Sequence, residues 1–246
     1  MDYLTTRGLV LRTTEYKETD QILTVLSADR GLLTMKARGV RSNRSKLKGA
    51  CQLLAYSEFT LFENRGFYTV NEASALEMFL PLRDDLERLT LAQYFAQVAE
   101  VLSQEDAPES GILPLTLNAI YALTKLNLPQ RQIKAVFELR AMCVSGFQPE
   151  LHGCAVCGAE APERFDVSEG CLVCAGCGGS GIRMPLGRGA LAAMRYITLC
   201  EPKKIFSFRL EPQALDELAD IAEAYLITKL ERGFSTLDFY KSLLLL

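Results

Sequence analysis

The stretch CAVCGAEAPERFDVSEGCLVCAGC, residues 154–177, decides how the second half of this chain folds. It holds two Cys-x2-Cys pairs, Cys154 with Cys157 and Cys174 with Cys177, and sixteen residues separate the pairs. Each pair places two sulfurs on one side of a tight turn, and two such turns facing each other surround an ion tetrahedrally. The spacing predicts one structural Zn²⁺, which contributes on the order of 10 kcal/mol to local folding.

Two further residues near these pairs carry possible ligand atoms. Cys171 offers a fifth thiol, and His152, the only histidine of the chain, lies two residues before the first pair. We predict that the four paired cysteines bind the ion and that Cys171 is spare. Four thiolates leave no open position for water, which favours a structural site over a catalytic one. A redox protein that uses Cys171 and the second pair is an alternative, which thiol titration with a measurement of metal release tests.

Length and composition indicate a globular protein. The chain has 246 residues, is 49% hydrophobic and carries a net charge of −3, which taken globally argues mildly against nucleic-acid binding. The amino-terminal MDYLTTRGLVLRTTEY lacks a basic segment followed by an apolar one, and no apolar run is long enough to cross a bilayer. We therefore expect a cytoplasmic protein without a membrane contact.

Residues 1 to about 75 are typical of strands. Short runs rich in Val, Leu, Thr, Tyr and Phe alternate with turn residues, and no helical pattern comes between them. Five strands at this spacing predict a small β-barrel of OB type over residues 1–78, with an SH3-like barrel as the alternative. The five runs are RGLVLRTTEY, QILTVLS, LLTMKARGV, QLLAYSEFTLFE and FYTVNEASA.

The third strand and the loop after it form a basic segment. Between Arg30 and Ser57 there is no Asp or Glu. The alternation of a strand places Leu33, Met35 and Ala37 inside, which puts the cations on the outer face. Such a surface suits a phosphate backbone, with a merely solvated loop as the alternative. The candidate DNA-binding residues are Lys36, Arg38, Arg41, Arg44, Lys46 and Lys48, and the candidate stacking residues are Tyr16, Tyr56, Phe67 and Tyr68.

Residues 79–246 have the periodicity of helices, interrupted by the zinc segment at about 150–183. We predict helices from Pro81 to near Gln104, Leu113 to Asn127, Pro129 to Gly146, Leu186 to Cys200, Pro212 to Gly233, and a last one that Ser235 caps. The fold class is therefore α+β: a barrel, then an α-helical domain that carries a zinc finger with four cysteine ligands. With one histidine and no P-loop, GxSxG, HExxH or GxGxxG pattern, an enzyme is not expected.

The order of these motifs resembles the bacterial DNA recombination and repair protein RecO family over essentially the whole chain. Its most specific pieces are GLVLRTTEYKETDQILTVLSADRG, ARGVRSNRSKLKGACQ, FELRAMCVSGFQPELHGCAVCG and GCLVCAGC. The chain departs from the family at Cys171, where a second glycine is common, and at Leu53-Leu54, which replaces a Pro-Phe pair.

The resemblance implies a recombination mediator without catalytic turnover, associated with the nucleoid. Family members bind single- and double-stranded DNA, anneal complementary strands, and with RecR and often RecF load RecA onto DNA coated by single-stranded DNA-binding protein. They also dock the acidic, Phe-ended tail of that coating protein. The resemblance carries the four zinc cysteines and the six basic positions over to this chain.

The site for the acidic tail is a separate prediction. Such a peptide needs cations beside apolar side chains, and Arg131, Lys134 and Arg140 lie on an apolar helix. The alternative is that they form a solvated edge of the helix. For the chain as a whole, the competing hypothesis is a zinc-ribbon accessory factor that binds protein or RNA, which a gel shift with DNA and RNA distinguishes.

Overall fold

The computed structural model describes residues 3–105, 107–108, 111–177 and 181–245. The chain forms two compact units, one made of Met1–Thr124 with Phe234–Leu246 and the other of Lys125–Gly233. The predicted domains, 1–78 and 79–246, group the residues differently and stay a prediction.

The first unit contains a five-stranded closed barrel. Its strands are β1 Tyr3–Tyr16, β2 Asp20–Ser27, β3 Gly31–Ala37, β4 Tyr56–Asn64 and β5 Phe67–Glu77. They close in the order β1-β2-β3-β5-β4, with β3 and β5 parallel and the other neighbours antiparallel. The closed barrel confirms the predicted OB-type fold.

Alternation along the strands fills the barrel. Leu33, Met35 and Ala37 of β3 are buried, whereas Thr34 between them is exposed. The inner and outer faces of β3 are therefore as predicted. The same core includes Val40 and Cys51 from the segment between β3 and β4, together with Val10, Leu23, Val25, Phe59, Leu61 and Val70 from the strands.

Six α-helices lie within the described residues: α1 Leu86–Leu102, α2 Ile112–Lys125, α3 Gln130–Val144, α4 Arg188–Leu199, α5 Pro212–Leu230 and α6 Ser235–Leu243. The helix predicted from Pro81 begins later, because Leu80–Asp84 forms a 3-10 turn and Asp85 caps α1 by accepting a hydrogen bond from the backbone N–H of Arg88 at 3.0 Å. Ser235 is the first residue of α6, and Phe234 holds the N-cap position predicted for the serine. None of the described helices combines the length and low polarity that crossing a membrane requires.

In the second unit, α3 and α4 both pack on α5 beside a small sheet. The sheet has the strand order β6-β8-β7-β9, with β6 Glu150–Cys154, β7 Arg164–Asp166, β8 Cys171–Val173 and β9 Arg183–Pro185. We call residues 150–185 the ribbon.

Tyr225 of α5 anchors the ribbon. The rings of Phe165 and Tyr225 pack edge to face, with their centroids 5.4 Å apart. The Tyr225 hydroxyl donates a hydrogen bond to the carbonyl of Phe147 at 3.0 Å. Gly170, with a φ of 76°, crosses so close that a Cβ there would lie 2.5 Å from the Tyr225 hydroxyl oxygen. A glycine is needed at this turn both for its positive φ and for space.

Candidate metal centre and nucleic-acid interface

The two cysteine pairs meet at one end of the ribbon. Cys154 ends β6 and Cys157 follows in a tight turn, while Cys174 and Cys177 follow β8. The first turn is closed by the N–H of Gly158, which donates to the carbonyl of Cys154 at 2.9 Å, and the second by the N–H of Cys177, which donates to the carbonyl of Cys174 at 3.2 Å. The four sulfurs all lie within 4.8 Å of one another, so the structure brings together the four predicted ligands.

The separation of the sulfurs fits a tetrahedral metal site. Cys157 Sγ and Cys174 Sγ lie 3.7 Å apart. Two thiolates that bind one zinc ion, each at about 2.3 Å and tetrahedrally arranged, lie about 3.8 Å apart. These cysteines can therefore hold a metal ion without a rearrangement of the ribbon backbone.

Hydrogen bonds set the protonation of the cluster. Backbone N–H groups that donate to Cys154 Sγ lower the pKa of Cys154 to about 6. The N–H of Cys157 has the largest effect, and the N–H of Cys174, whose nitrogen lies 3.3 Å from Cys154 Sγ, adds to it. Hydrogen bonds with the Cys154 and Cys157 thiols raise the pKa of Cys174 to about 12 and that of Cys177 to about 11. A bound divalent cation lowers the pKa of every thiol that coordinates it, so all four cysteines would bind as thiolates.

The two alternative ligands lie outside the cluster. His152 has 94% of its side chain exposed and lies beside Glu150. Cys171 is part of β8, where it pairs with Glu150 and Asp166 rather than with the other cysteines. Burial first, and then the charge of Asp166, raise the pKa of its thiol.

An ion pair inside the ribbon supports the second cysteine turn. The Asp166 carboxylate accepts hydrogen bonds from the N–H groups of Ser168 and Glu169 at 3.1 Å and lies 3.5 Å from Nε of Arg183. Arg183 Nη1 in turn donates to the carbonyl of Cys177 at 2.9 Å. Sequence reasoning missed this pair, because its two residues belong to strands that only the folded sheet brings together.

The basic segment lies on the barrel with its charges outward. Arg38, Arg41, Arg44, Lys46 and Lys48 are exposed, and Lys36 on β3 is half-buried. The loop is anchored: the N–H of Arg41 donates to the carbonyl of Thr19 at 2.9 Å, and Val40 and Cys51 enter the barrel core. The segment is therefore a fixed cationic surface rather than a loose loop.

Two of these cations have carboxylate partners, which come from β1 and β2. Lys36 Nζ lies 3.0 Å from Asp20, which also accepts a hydrogen bond from the N–H of Gly39 at 2.8 Å. The Gly39 bond foremost, and then Lys36, lower the pKa of Asp20. Asp20 thus holds the end of β3 in place.

Five of the six cations, all except Lys36, are available to a ligand. Arg41 pairs with Glu15 at 3.1 Å, but both side chains are exposed and such pairs are weak. In the part of the chain that the structure describes, Arg38, Arg44, Lys46 and Lys48 have no carboxylate within ion-pair distance.

A cleft of about 460 Å³ opens beside this surface on the barrel. It combines cations with aromatic rings, including three of the four candidate stacking residues; Tyr56 does not line it. Sequence reasoning missed Arg65, which lies in the β4–β5 turn. The lining consists of Tyr16, Ile22, Thr34, Met35, Lys36, Arg38, Phe62, Asn64, Arg65, Phe67, Tyr68 and Thr69.

The three residues predicted to dock an acidic tail have partners within the second unit. Arg131 pairs with Asp216 and Asp220 of α5, both at 2.6 Å. Lys134 is buried between carboxylates of α3 and α5, and Arg140 donates to the carbonyl of Ile197 at 2.8 Å. Arg131 is exposed at the surface, whereas Lys134 is buried and Arg140 half-buried; their role in docking an acidic tail stays a prediction.

A groove of about 380 Å³ in the same unit does combine a cation with apolar side chains. Arg209 at its rim donates to the carbonyl of Asn127 at 3.0 Å and is exposed. The sequence carried no signal for it, since two distant segments form it. It is lined by Leu126, Asn127, Leu128, Phe206, Ser207, Phe208 and Arg209.

Comparison with known proteins agrees with the motif order. A family model described as Recombination protein O N terminal matches residues 1–79, and one described as Recombination protein O C terminal matches residues 83–238. The chain is 34% identical over 247 residues to the DNA repair protein RecO of Acetivibrio thermocellus, which covers 99% of this chain and 98% of that protein.

Two other relatives match over a similar length. Identity to the DNA repair protein RecO of Desulforudis audaxviator is 35% over 243 residues, 97% of this chain and 96% of that protein. Identity to the DNA repair protein RecO of Alkaliphilus metalliredigens is 29% over 242 residues, 97% and 98% of the two chains. Because both family models match and the relatives align from end to end, the chain belongs to the RecO family of DNA repair proteins.

Proposed function

We propose that this chain is a recombination mediator that binds single- and double-stranded DNA and anneals complementary strands. The observation that carries the proposal is the fixed cationic surface of the barrel, residues 36–48, with its adjoining cleft of cations and aromatic rings. Phosphate charges dominate DNA affinity, and a positively charged groove with stacking aromatics is how OB barrels hold single strands.

Annealing follows from the charge of this surface. Two strands repel each other through their phosphates, and cations that neutralise one or both lower the repulsion. Binding and charge neutralisation need no bond to be made or broken, so the protein acts without catalytic turnover and the bound ion, which we propose is Zn²⁺, serves the fold alone.

The partners in this proposal are those of the family. With RecR, and with RecF where it takes part, the chain helps to load RecA onto DNA coated by single-stranded DNA-binding protein, as part of the nucleoid. A strand-annealing assay on two complementary oligonucleotides, with and without the coating protein, tests the central step. Failure to accelerate annealing in both settings contradicts the proposal.

Replacing Arg41, Arg44, Lys46 and Lys48 together by alanine is expected to weaken DNA binding for all sequences alike. If about five cations contact phosphates, the log–log dependence of affinity on salt has a slope of about −3.5 for single strands and −4.5 for duplexes. Loss of four contacts lowers affinity by about 10³-fold for single strands and about 10³ to 10⁴-fold for duplexes at 0.1 M salt, and flattens the slope. Fluorescence anisotropy in a salt titration measures both quantities.

The matched control removes the same charge at four exposed positions outside the barrel, Lys125, Arg164, Arg188 and Lys203. This variant should retain the slope of the unmodified chain, because its four residues do not belong to the basic segment. Net charge changes equally in both variants, so a difference between them reports on the segment itself. An unchanged slope in the barrel variant, or equal losses in the two, would remove the basic segment from the proposal.

We also propose that the groove around Arg209 takes the acidic, Phe-ended tail of the coating protein. The apolar walls of Leu126, Phe206 and Phe208 suit the terminal ring, and the exposed guanidinium suits a carboxylate. Arg209→Glu is expected to weaken binding of a tail peptide to the full chain about tenfold or more.

Arg131→Ala is the control for the groove, because Arg131 belongs to the predicted site on α3 and is engaged with α5. It should leave affinity for the peptide unchanged in calorimetry. Retained binding in Arg209→Glu together with lost binding in Arg131→Ala would return the site to α3.

A further inference from the structure

We propose that the barrel cleft receives unstacked bases of single-stranded DNA on the ring of Phe67, and that this contact discriminates single strands from duplexes. The inference rests on the proposed DNA binding and deepens it. The basic segment supplies phosphate contacts to either form of DNA, whereas the cleft accepts one form only.

The hairpin turn before Phe67 has a residue that is unfavourable for its backbone conformation. The β4–β5 connection is the two-residue turn Arg65-Gly66, and both residues have a positive φ, 53° and 79°. Asn-Gly is the favoured pair in such a turn, and a long side chain at its first position is strained. Strained residues cluster at functional sites, and here the strain places a guanidinium at the rim of the cleft.

Phe67 comes directly after this turn with 77% of its surface exposed. A phenylalanine gains no stability from such exposure, so its ring is available to a ligand. Arg38 and Arg65 also line the cleft and, among the described residues, have no carboxylate within ion-pair distance. A cleft that combines an exposed aromatic ring with two such cations is complementary to a base flanked by phosphates.

Another part of the cleft lining is already ordered. Lys36 Nζ lies 4.7 Å above the ring centroid of Tyr16, and its pairing with Asp20 fixes it there. Tyr16 is therefore a pre-organised part of the cleft lining, and Tyr68, which also lines the cleft, packs against the barrel core.

The discrimination follows from which face of a base is accessible. In a duplex the base faces are covered by their neighbours, so a protein reaches phosphates, sugars and base edges but no base face without unstacking, which costs a few kcal/mol per step. In a single strand a base can stack on an aromatic ring. The basic segment has no aromatic residue between Arg38 and Ala55, so it cannot make this distinction.

Phe67→Ala tests the inference in the full chain. Affinity for a single-stranded oligonucleotide should fall about 5- to 150-fold, while affinity for a duplex of equal length should change less than about twofold. Tyr3→Ala is the matched control, since Tyr3 is 58% exposed on the same barrel but does not line the cleft. Thermal unfolding confirms that both variants fold.

A second measurement reports on stacking itself. The chain contains no tryptophan, so Phe67→Trp introduces a single indole at the cleft and Tyr3→Trp a single indole outside it. The Phe67→Trp variant should bind single-stranded DNA with the affinity of the unmodified chain, and the bound strand should quench its indole emission. Duplex DNA should leave the emission unchanged. Tyr3→Trp should respond to neither.

The outcomes separate this inference from the proposed function. Equal losses for both DNA forms in Phe67→Ala, no loss for either, or no quenching in Phe67→Trp overturns the role of the cleft. If the quadruple variant of the basic segment nevertheless binds both DNA forms more weakly, the proposed DNA binding stands without the role of the cleft.

Discussion

Replacing Cys157 by serine is expected to release the metal ion and to unfold the ribbon. The Cys157 side chain is exposed, so the change removes one ligand without opening a cavity in the core. Strands β7, β8 and β9 have three residues each and are too short to persist alone, and a structural zinc contributes on the order of 10 kcal/mol to such a segment. Metal analysis should find less than one ion per chain, and limited proteolysis should cut within residues 150–185.

Cys171→Ser is the matched control, because it removes a thiol of the same ribbon that the cluster does not include. This variant should retain one metal ion per chain and resist the protease. A full metal content in Cys157→Ser, or equal metal loss in both variants, would contradict the assignment of the four ligands. The barrel should keep its own fold in either variant, since its core consists of residues from the first unit.

The features that the sequence predicts well are those with a short repeat. A period of two along β3 predicts which side chains enter the barrel, and the Cys-x2-Cys spacing predicts which sulfurs meet, because both are local consequences of backbone geometry. The ends of helices were predicted less well. Pro81 and Ser235 are typical of helix starts, yet the N-cap residue is Asp85 for α1 and Phe234 for α6.

Contacts between distant segments could not be read from the sequence. Asp20 looks like a turn residue, but in the barrel it holds both Lys36 and the backbone of Gly39, and so forms part of the basic surface. Lys134 looks like an exposed cation on an amphipathic helix. Only the packing of α3 on α5 shows that it is enclosed, because its partner Glu223 is 89 residues away.

Replacing Lys134 by alanine is expected to lower the free energy of unfolding by about 3–5 kcal/mol. Its side chain is 5% exposed, and its Nζ lies 2.9 Å from Glu138, which is fully buried, and 2.7 Å from Glu223. The change removes the ammonium that balances these carboxylates and leaves them in a medium that stabilises charge poorly. Urea unfolding followed by far-UV circular dichroism measures the loss.

The control is Arg131→Ala, which removes a cation of the same helix that pairs with α5 at the surface. It should cost about 0.2–1 kcal/mol, because water screens exposed pairs.

The pH dependence of the Lys134 effect adds a second criterion. Burial lowers the pKa of Lys134, but attraction to Glu138 and Glu223 outweighs it and raises the pKa above its ordinary 10.5. The stabilisation that the Lys134 ammonium contributes is therefore complete below its unfolded pKa of 10.5, and it is lost as the pH rises through the higher pKa of the folded state. Equal losses in the two variants, or a Lys134→Ala effect that fades between about pH 7 and 9, would show that the ammonium does not hold α3 and α5 together.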